Sequence, residues 1–175
     1  MIQVQVDAIQ VSLVSQSRVV VLKELNGERY LPIWIGAYEA EAIAIHLQGL
    51  QAPRPQTHDL IVNVLQGVDA RLRYVYINAL VSETFYARLI LAVDDLQMEI
   101  DTRPSDAIAV AVRMGSRIYV DEEVMELAGI VQAANLMQFD EDTFQVAGED
   151  MDAEDLQVFR DFLNTLNLDD LESDD

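Results

Sequence analysis

One short segment, residues 100–113, constrains the fold more than any other part of the chain. Its letters are IDTRPSDAIAVAVR, in which Pro104 stands shortly before a run of six apolar residues, Ala107 to Val112. A helix without a polar face must be buried on most sides, and proline suits the first position of a helix. Charged side chains at the mouth of a buried helix need a partner or a ligand. Three such residues lie here: Asp101, Arg103 and Asp106.

The remaining pattern predicts strands and short helices without a regular βαβ alternation. Alternating apolar residues predict a strand over 2–14, and Asn26-Gly27 is a strong hairpin turn signal. Strand candidates at 71–81, 84–93 and 96–102 are separated by turn-prone pairs, which predicts an antiparallel meander. We therefore expect an α+β fold in which a mixed, largely antiparallel sheet packs with helices. Helices are predicted at residues 37–50, 59–66, 104–115 and 121–129.

The chain divides into two parts of different charge. Residues 1–117 hold 10 basic and 13 acidic side chains, whereas residues 118–175 hold 1 basic and 18 acidic ones, which gives the net charge of −20. We expect a domain over residues 1–130 and an acidic extension over residues 131–175. One acidic amphipathic helix, about residues 152–166, is predicted in the extension from an apolar stripe: Leu156, Phe159, Leu163 and Leu166.

Composition excludes several classes of protein and site. The chain has no cysteine, which excludes disulfides and thiolate metal sites. No apolar run approaches the ~20 residues that cross a bilayer, and the N-terminus lacks the layout of a signal peptide, so we expect a cytoplasmic protein without membrane contact. A nucleic-acid binder normally carries a basic surface, which this chain lacks on average. No aromatic-and-basic alternation typical of an RNA-binding sheet is evident along the sequence.

The segment around Pro104 allows a functional and a local interpretation. Asp101 and Arg103 are two positions apart on a predicted strand, so their side chains should share a face. In the functional interpretation, Asp101 and Asp106 bind Mg²⁺ or Mn²⁺, since hard cations prefer carboxylate oxygens, and Arg103 binds a phosphate. In the local interpretation, Asp106 caps the helix and Arg103 pairs with Asp101. These residues alone do not decide between the two.

Two more segments carry candidate acid, base and phosphate-binding groups. His58 is a candidate general acid or base, with Asp59 orienting it or binding metal. Alternatively, Thr57 caps the second helix and Asp59 lies favourably in its first turn. Arg54, between two prolines, lies on a stiff loop that suits a phosphate contact or a salt bridge. Glu39 joins a carboxylate cluster if the starts of these helices converge.

Several segments together resemble the bifunctional nuclease domain family, small bacterial and plant domains described as having DNase and RNase activity. The resemblance covers roughly residues 1–130. The segments occur in the family's order: LPIWIG at 31–36, EA at 39–40, RP at 54–55, THDL at 57–60, TFYA at 84–87, RPSD at 103–106 and IYV at 118–120. Residues that match the family pattern are Glu39, Arg54, His58, Asp59, Asp101, Arg103, Ser105 and Asp106.

The resemblance implies a metal-dependent nuclease that hydrolyses phosphodiester bonds of DNA or RNA and forms a homodimer. The candidate catalytic residues are then Glu39, His58, Asp59, Asp101 and Asp106. The phosphate-binding candidates are Arg54 and Arg103, and the candidate metal ligands are Asp101 and Asp106. The alternative is a non-catalytic dimeric binding or scaffold domain whose charged motif is a buried structural network, with its aspartates paired to arginines. In a third hypothesis, the acidic tail mimics a polyanion and occupies the site until it is displaced.

Overall fold

The computed structural model describes residues 1–12, 17–94, 96–131 and 143–147, the last range as backbone only. The strands are β1 (Ile2–Ser12), β2 (Arg18–Glu24), β3 (Tyr30–Ile35), β4 (Arg71–Val81), β5 (Thr84–Val93), β6 (Leu96–Thr102), β7 (Arg117–Val120) and β8 (Thr143–Ala147). The helices are α1 (Ala37–Leu47), α2 (Thr57–Gly67), α3 (Pro104–Met114) and α4 (Glu122–Ala128).

These strands form one mixed sheet in the order β3-β2-β1-β7-β4-β5-β6, with β8 also paired to β1. Strands β4 and β7 are parallel, and the other neighbouring pairs are antiparallel. The predicted meander of β4, β5 and β6 is confirmed. Its first turn places Ser82 and Glu83 at positive φ, as a two-residue hairpin with the twist of its strands requires. The expected α+β fold is therefore confirmed.

The two faces of the sheet differ in what covers them. Val75, Ile77 and Leu89 belong to the main hydrophobic core together with the apolar residues of α1 and α3. Because side chains alternate along a strand, their neighbours Tyr76 and Arg88 lie on the opposite face. Helix α3 thus packs on the core face of the sheet. It begins at Pro104, directly after the edge strand β6.

Of the predicted extension, residues 131–175, the structure describes residue 131 and strand β8, which adds to the sheet beside β1. The predicted acidic helix at 152–166 lies outside the described residues, and the division of the chain at residue 130 stays a prediction. Among the helices that the structure describes, none is both long and apolar enough to span a membrane.

Candidate functional site

Helix α3 fixes the position of the charged segment that precedes it. Pro104 occupies the first helical turn as predicted, and Gly115 ends the helix in the left-handed conformation with φ of 60°. Glycine adopts this conformation without the steric cost that a side chain brings. From Pro104 through Ala111, every residue is buried except Asp106, which is partly exposed. A rigid, buried helix therefore presents Asp106 at its start.

Arg103 is the centre of the charged network. Its Nε donates to Asp106 Oδ2 at 2.6 Å and its Nη2 donates to Asp106 Oδ1 at 3.0 Å, a two-point contact of guanidinium with carboxylate. Its Nη1 lies 2.9 Å from Glu39 Oε1. The Arg103 side chain is 65% exposed, whereas the side chains of Glu39 and Asp106 are 18% and 25% exposed. One solvent-facing cation is thus held between two partly buried carboxylates.

His58 completes the network from the buried side. Its Nε2 lies 3.1 Å from Asp106 Oδ1, and the residue is buried. Burial is the largest single influence on the Asp106 carboxyl and opposes its ionisation, but hydrogen bonds from Arg103 and His58 outweigh it and hold the pKa below its usual range. Because an ionised Asp106 only accepts hydrogen bonds, Nε2 of His58 must be the donor in this contact.

Glu39 reaches Arg103 because of the way helix α1 begins. Gly36 is the N-cap of α1, and Glu39 lies in its first turn, where a carboxylate is favoured by the helix dipole. A Cβ atom at position 36 would lie 2.1 Å from Glu39 Oε2. The absence of a side chain at Gly36 therefore leaves room for the Glu39 carboxylate. The condition set for a cluster is met, since the first turns of α1, α2 and α3 meet at Arg103 and Asp106.

Asp59 belongs to a neighbouring ion pair. Its Oδ1 accepts a hydrogen bond from Arg113 Nε at 2.6 Å, and its Oδ2 accepts from the Gln56 backbone N–H at 2.8 Å. The hydrogen bond from Arg113 is the main cause of an Asp59 pKa below its usual range, followed by the one from Gln56. The N-cap of α2 is Gln56, so the alternative that Thr57 caps this helix is wrong.

A cleft lies beside this ion pair. It has a volume of about 370 Å³. Its lining includes the cationic side chain of Arg54 and the buried guanidinium of Arg113, with His46 and Asn63. Arg54 is exposed on the loop between α1 and α2, as the flanking prolines suggested. Arg54 therefore has access to an anion in the cleft, and Arg113 and Asp59 form part of its wall.

Asp101 lies apart from the network. Strand β6 pairs with β5 so that Asp101 is opposite Arg88, whose side chain is on the face away from the core. Strand β6 ends at Thr102, and Arg103 is already the N-cap of α3. Arg103 still has an extended backbone at the N-cap, so the expectation that its side chain shares a face with that of Asp101 stays a prediction. The local interpretation is corrected, since Arg103 pairs with Asp106 and Glu39 and not with Asp101.

Asp101 and Asp106 do not fit a shared metal ion in this arrangement. Both oxygens of Asp106 accept hydrogen bonds from Arg103 or His58. Among the residues that the structure describes, no three His, Asp or Glu side chains are grouped so that they could hold one ion. Dependence on Mg²⁺ or Mn²⁺ stays a prediction.

Two contributors to the site were not predicted from the sequence. Arg113 pairs with Asp59 across 54 positions, and Gln56 provides the N-cap of α2. Arg113 lies in the last turn of α3, where the helix dipole favours a cation whatever its partner. Its position in the sequence was therefore only a weak signal of a pair with Asp59. Only the packing of α2 against α3 brings it to Asp59.

The model of the bifunctional nuclease domain matches residues 20–133, a segment that contains every candidate site residue. The chain belongs to the bifunctional nuclease domain family. An uncharacterized protein of Mycobacterium tuberculosis strain H37Rv is 39% identical to this family member over 171 residues, which cover 98% of each chain.

Two plant relatives carry the name of the family's activity. Bifunctional nuclease 1 of Oryza sativa subsp. japonica is 28% identical to this bifunctional nuclease domain protein over 109 residues, which cover 60% of this chain and 33% of the rice protein. The protein named Bifunctional nuclease from Oryza minuta matches with the same values. The similarity to these plant proteins thus spans a third of their length, and it supports a nuclease-related role for the matched domain.

Proposed function

We propose that this protein hydrolyses phosphodiester bonds of DNA or RNA at the network centred on Arg103. One observation carries the proposal: an exposed guanidinium is held between two carboxylates where three helices of a bifunctional nuclease domain begin. Three of the five N–H donors of Arg103 face Glu39 and Asp106, so two remain for a phosphate. A cation fixed in this way stabilises the negative charge that develops on a phosphoryl group under attack.

Glu39 is the proposed general base. In this step a water oxygen forms the new bond to phosphorus while a proton of that water passes to the Glu39 carboxylate. The bond from phosphorus to the leaving oxygen breaks, and the leaving oxygen takes a proton from solvent. Glu39 suits this role because its carboxylate contacts Arg103 directly and would therefore lie beside a phosphate bound there.

Asp106, His58 and Asp59 are proposed as positioning residues. Asp106 holds the Arg103 guanidinium in one orientation, and His58 in turn holds Asp106 from the buried side. Asp59 fixes Arg113 in the wall of the cleft, where Arg54 would bind a second phosphate of the same strand. A positioning role agrees with the burial of His58, which keeps its ring away from bulk solvent.

A non-catalytic dimeric scaffold is the second candidate, and one observation favours it. Glu39, Asp59 and Asp106 are each paired with an arginine. A network of this kind also serves folding alone. The scaffold proposal predicts a folded dimer, measured by sedimentation velocity, that binds no nucleic acid and cleaves none.

The deciding experiment is cleavage of labelled single-stranded DNA and RNA by the purified protein and by three variants checked for folding. Asp106→Asn should cleave far more slowly, and Glu39→Gln should lose cleavage because its side chain takes up no proton. Glu41→Gln is the matched control, because Glu41 is an exposed carboxylate of the same helix as Glu39 and takes part in none of the ion pairs among the described residues. Equal activity of Asp106→Asn and the unmodified protein would contradict the proposed site.

Metal dependence is tested in the same assay with Mg²⁺, Mn²⁺ or EDTA. The sequence-based proposal of a divalent ion at Asp101 and Asp106 predicts that EDTA stops cleavage and that Asp101→Asn is as inactive as Asp106→Asn. The arrangement around Arg103 predicts instead that Asp101→Asn retains activity. The two variants therefore separate the metal proposal from the proposal of an arginine-centred site.

A further inference from the structure

The sheet face opposite the core carries a concentration of tyrosine and arginine. Tyr76 of β4 lies in register with Tyr119 of β7 and with Arg88 of β5. The next row places Tyr74 beside Arg117. We define the tyrosine face by the seven tyrosine and arginine side chains on this side of β4, β5 and β7: Arg71, Tyr74, Tyr76, Tyr86, Arg88, Arg117 and Tyr119. The same side of β5 also carries Ile90, which is in register with Tyr74 and buried.

The tyrosine face is accessible in the part of the chain that the structure describes. Tyr86 and the three arginines of the face are exposed, and Tyr74, Tyr76 and Tyr119 are partly exposed. Helix α3 packs on the other side of the same strands, against the core residues that alternate with these side chains. Aromatic rings are therefore presented on a sheet surface without a helix of the core layer above them.

The rings are held in fixed positions. Tyr74 and Tyr119 pack edge to face, with ring centroids 5.4 Å apart and an interplanar angle of 85°. The Tyr76 hydroxyl donates a hydrogen bond to Asp121, which raises the Tyr76 pKa to about 12. Rings that are already fixed lose little conformational freedom when another planar group stacks on them.

Much of the positive charge on and beside this face has no carboxylate partner. Arg88 pairs with Glu99, but none of the ion pairs among the described residues involves Arg71, Arg73 or Arg117. Arg73 is the extra residue of a bulge in β4, between the pairs that Leu72 and Tyr74 make with β5, and it is exposed. Four of the 11 basic residues of this acidic chain thus surround the four tyrosines of the face: Arg71, Arg73, Arg88 and Arg117.

We propose that the tyrosine face binds single-stranded nucleic acid, with bases stacked on tyrosines and phosphates held by arginines. Aromatic side chains beside unpaired cations are the features by which single strands are bound without regard to sequence. A duplex would not fit the same surface, since the faces of its bases are covered by their neighbours. The proposal rests on and deepens the proposed function, because it names single strands as the substrate class.

A second copy of this chain is the less suitable occupant. Two-fold contact through the tyrosine face would place the three unpaired arginines of each copy near those of the other. Of the acidic residues at the face, Glu99 is already paired with Arg88 and Asp121 accepts the hydrogen bond of Tyr76, which leaves Asp101 on this side of β6. The charges of two such faces are therefore poorly complementary, whereas a polyanion supplies the missing negative charge.

The tyrosine face also leads toward the Arg103 network. The row from Tyr119 through Tyr76 and Arg88 ends at Asp101 on edge strand β6, about 14 Å away at the usual strand spacing. Arg103 follows Asp101 by two positions, beyond the end of β6. A strand bound on the face therefore reaches the proposed site by passing the end of β6.

The test is a binding measurement that does not depend on cleavage. Fluorescence anisotropy of labelled oligo(dT) and oligo(U) of roughly 12 nucleotides is followed over a range of salt concentrations, with the probe checked intact by electrophoresis. For Arg73→Gln/Arg117→Gln, the slope of log K against log salt should become shallower by about 1.4, since each phosphate contact contributes about 0.7. Arg18→Gln/Lys23→Gln on β2 removes the same charge elsewhere and should leave the slope unchanged.

The stacking contribution is tested with Tyr86→Leu and Tyr119→Leu, both checked for folding by circular dichroism. Each tyrosine that stacks on a base should raise Kd by roughly 5- to 150-fold when its ring is lost. Tyr86→Phe keeps the ring and should keep the affinity. The expected losses of binding would support the tyrosine face as a binding surface whether or not the protein cleaves the probe. Failure of the proposed nuclease function would therefore be distinguishable from failure of the proposed binding surface.

Three outcomes would overturn the tyrosine face. In the first, the unmodified protein fails to bind either oligonucleotide at low salt. In the second, the control variant on β2, Arg18→Gln/Lys23→Gln, weakens binding as much as Arg73→Gln/Arg117→Gln does. In the third, the tyrosine and arginine variants bind normally but change the dimer seen in sedimentation, which would assign the face to a second copy.

Discussion

Replacing Asp106 by asparagine tests how much the Arg103 network contributes to the stability of the fold. Asp106 accepts three hydrogen bonds, two from Arg103 and one from His58, and its side chain is 25% exposed. Asparagine has nearly the same shape but presents an N–H₂ group in place of one oxygen. At least one N–H donor of Arg103 or His58 then faces the N–H₂ group of asparagine, which is also a donor.

The expected loss follows from what remains after the change. Breaking a fully buried ion pair costs about 3–5 kcal/mol, because the surviving charge has no partner. Arg103 is 65% exposed and keeps Glu39 at 2.9 Å, so it is not left buried and unpaired. The loss should therefore resemble that of a hydrogen bond to a charged group, about 2 kcal/mol. For a domain of this size, that corresponds to a fall in Tm of about 4–8 °C.

Urea unfolding followed by circular dichroism measures this loss directly. Asp101→Asn is the control and should change the free energy of unfolding by less than about 0.5 kcal/mol, because Asp101 is exposed on the other face of the sheet. Equal effects of the two substitutions would show that the hydrogen bonds of Asp106 with Arg103 and His58 do not stabilise the fold. A loss of 4 kcal/mol or more for Asp106→Asn would show a network more deeply buried than the one described, as the scaffold alternative requires.

Three further predictions concern the start of α1, acid pH and the acidic tail. Gly36→Ala should displace the Glu39 carboxylate and lower cleavage with little loss of Tm, because the atom it meets is the end of a flexible side chain. The pKa values of Asp59 and Asp106 lie below the ordinary 3.8, so their contribution to stability is complete above that value. It is lost as pH falls through the folded-state pKa values, and urea midpoints from about pH 5 to about pH 2.5 should show this decline. Deleting residues 149–175, which hold 11 acidic and 1 basic side chains, should raise nuclease activity, and no change would exclude inhibition by the tail.

Local sequence patterns predicted most of the secondary structure. Alternation of apolar residues located the strands of the meander, and Pro104 and Gly115 marked the two ends of α3. These signals are local, because each depends on the conformation of a few neighbouring residues. They also placed Glu39, Asp59 and Asp106 near the starts of three helices, which suggested a cluster of Glu39 with Asp59 or Asp106 on the condition that those starts converge.

The partners within the site depended on contacts that no local pattern contains. The pairing of Asp59 with Arg113 requires α2 to pack on α3, and the place of Asp101 depends on where β6 ends. The tyrosine face was missed for the same reason. It is formed by strands far apart in the chain, and the parallel pairing of β4 with β7 brings Tyr119 beside Tyr76.

In the proposed function, Arg103 binds the phosphodiester group undergoing hydrolysis. The most direct measurement is the single-turnover rate of cleavage of a labelled single-stranded oligonucleotide by the unmodified protein and by Arg103→Gln. We expect the rate to fall by roughly 10²- to 10³-fold, as for the loss of one group that stabilises charge in the transition state, with the variant still folded. Cleavage by Arg103→Gln at the unmodified rate would contradict it, as would the absence of cleavage by the unmodified protein.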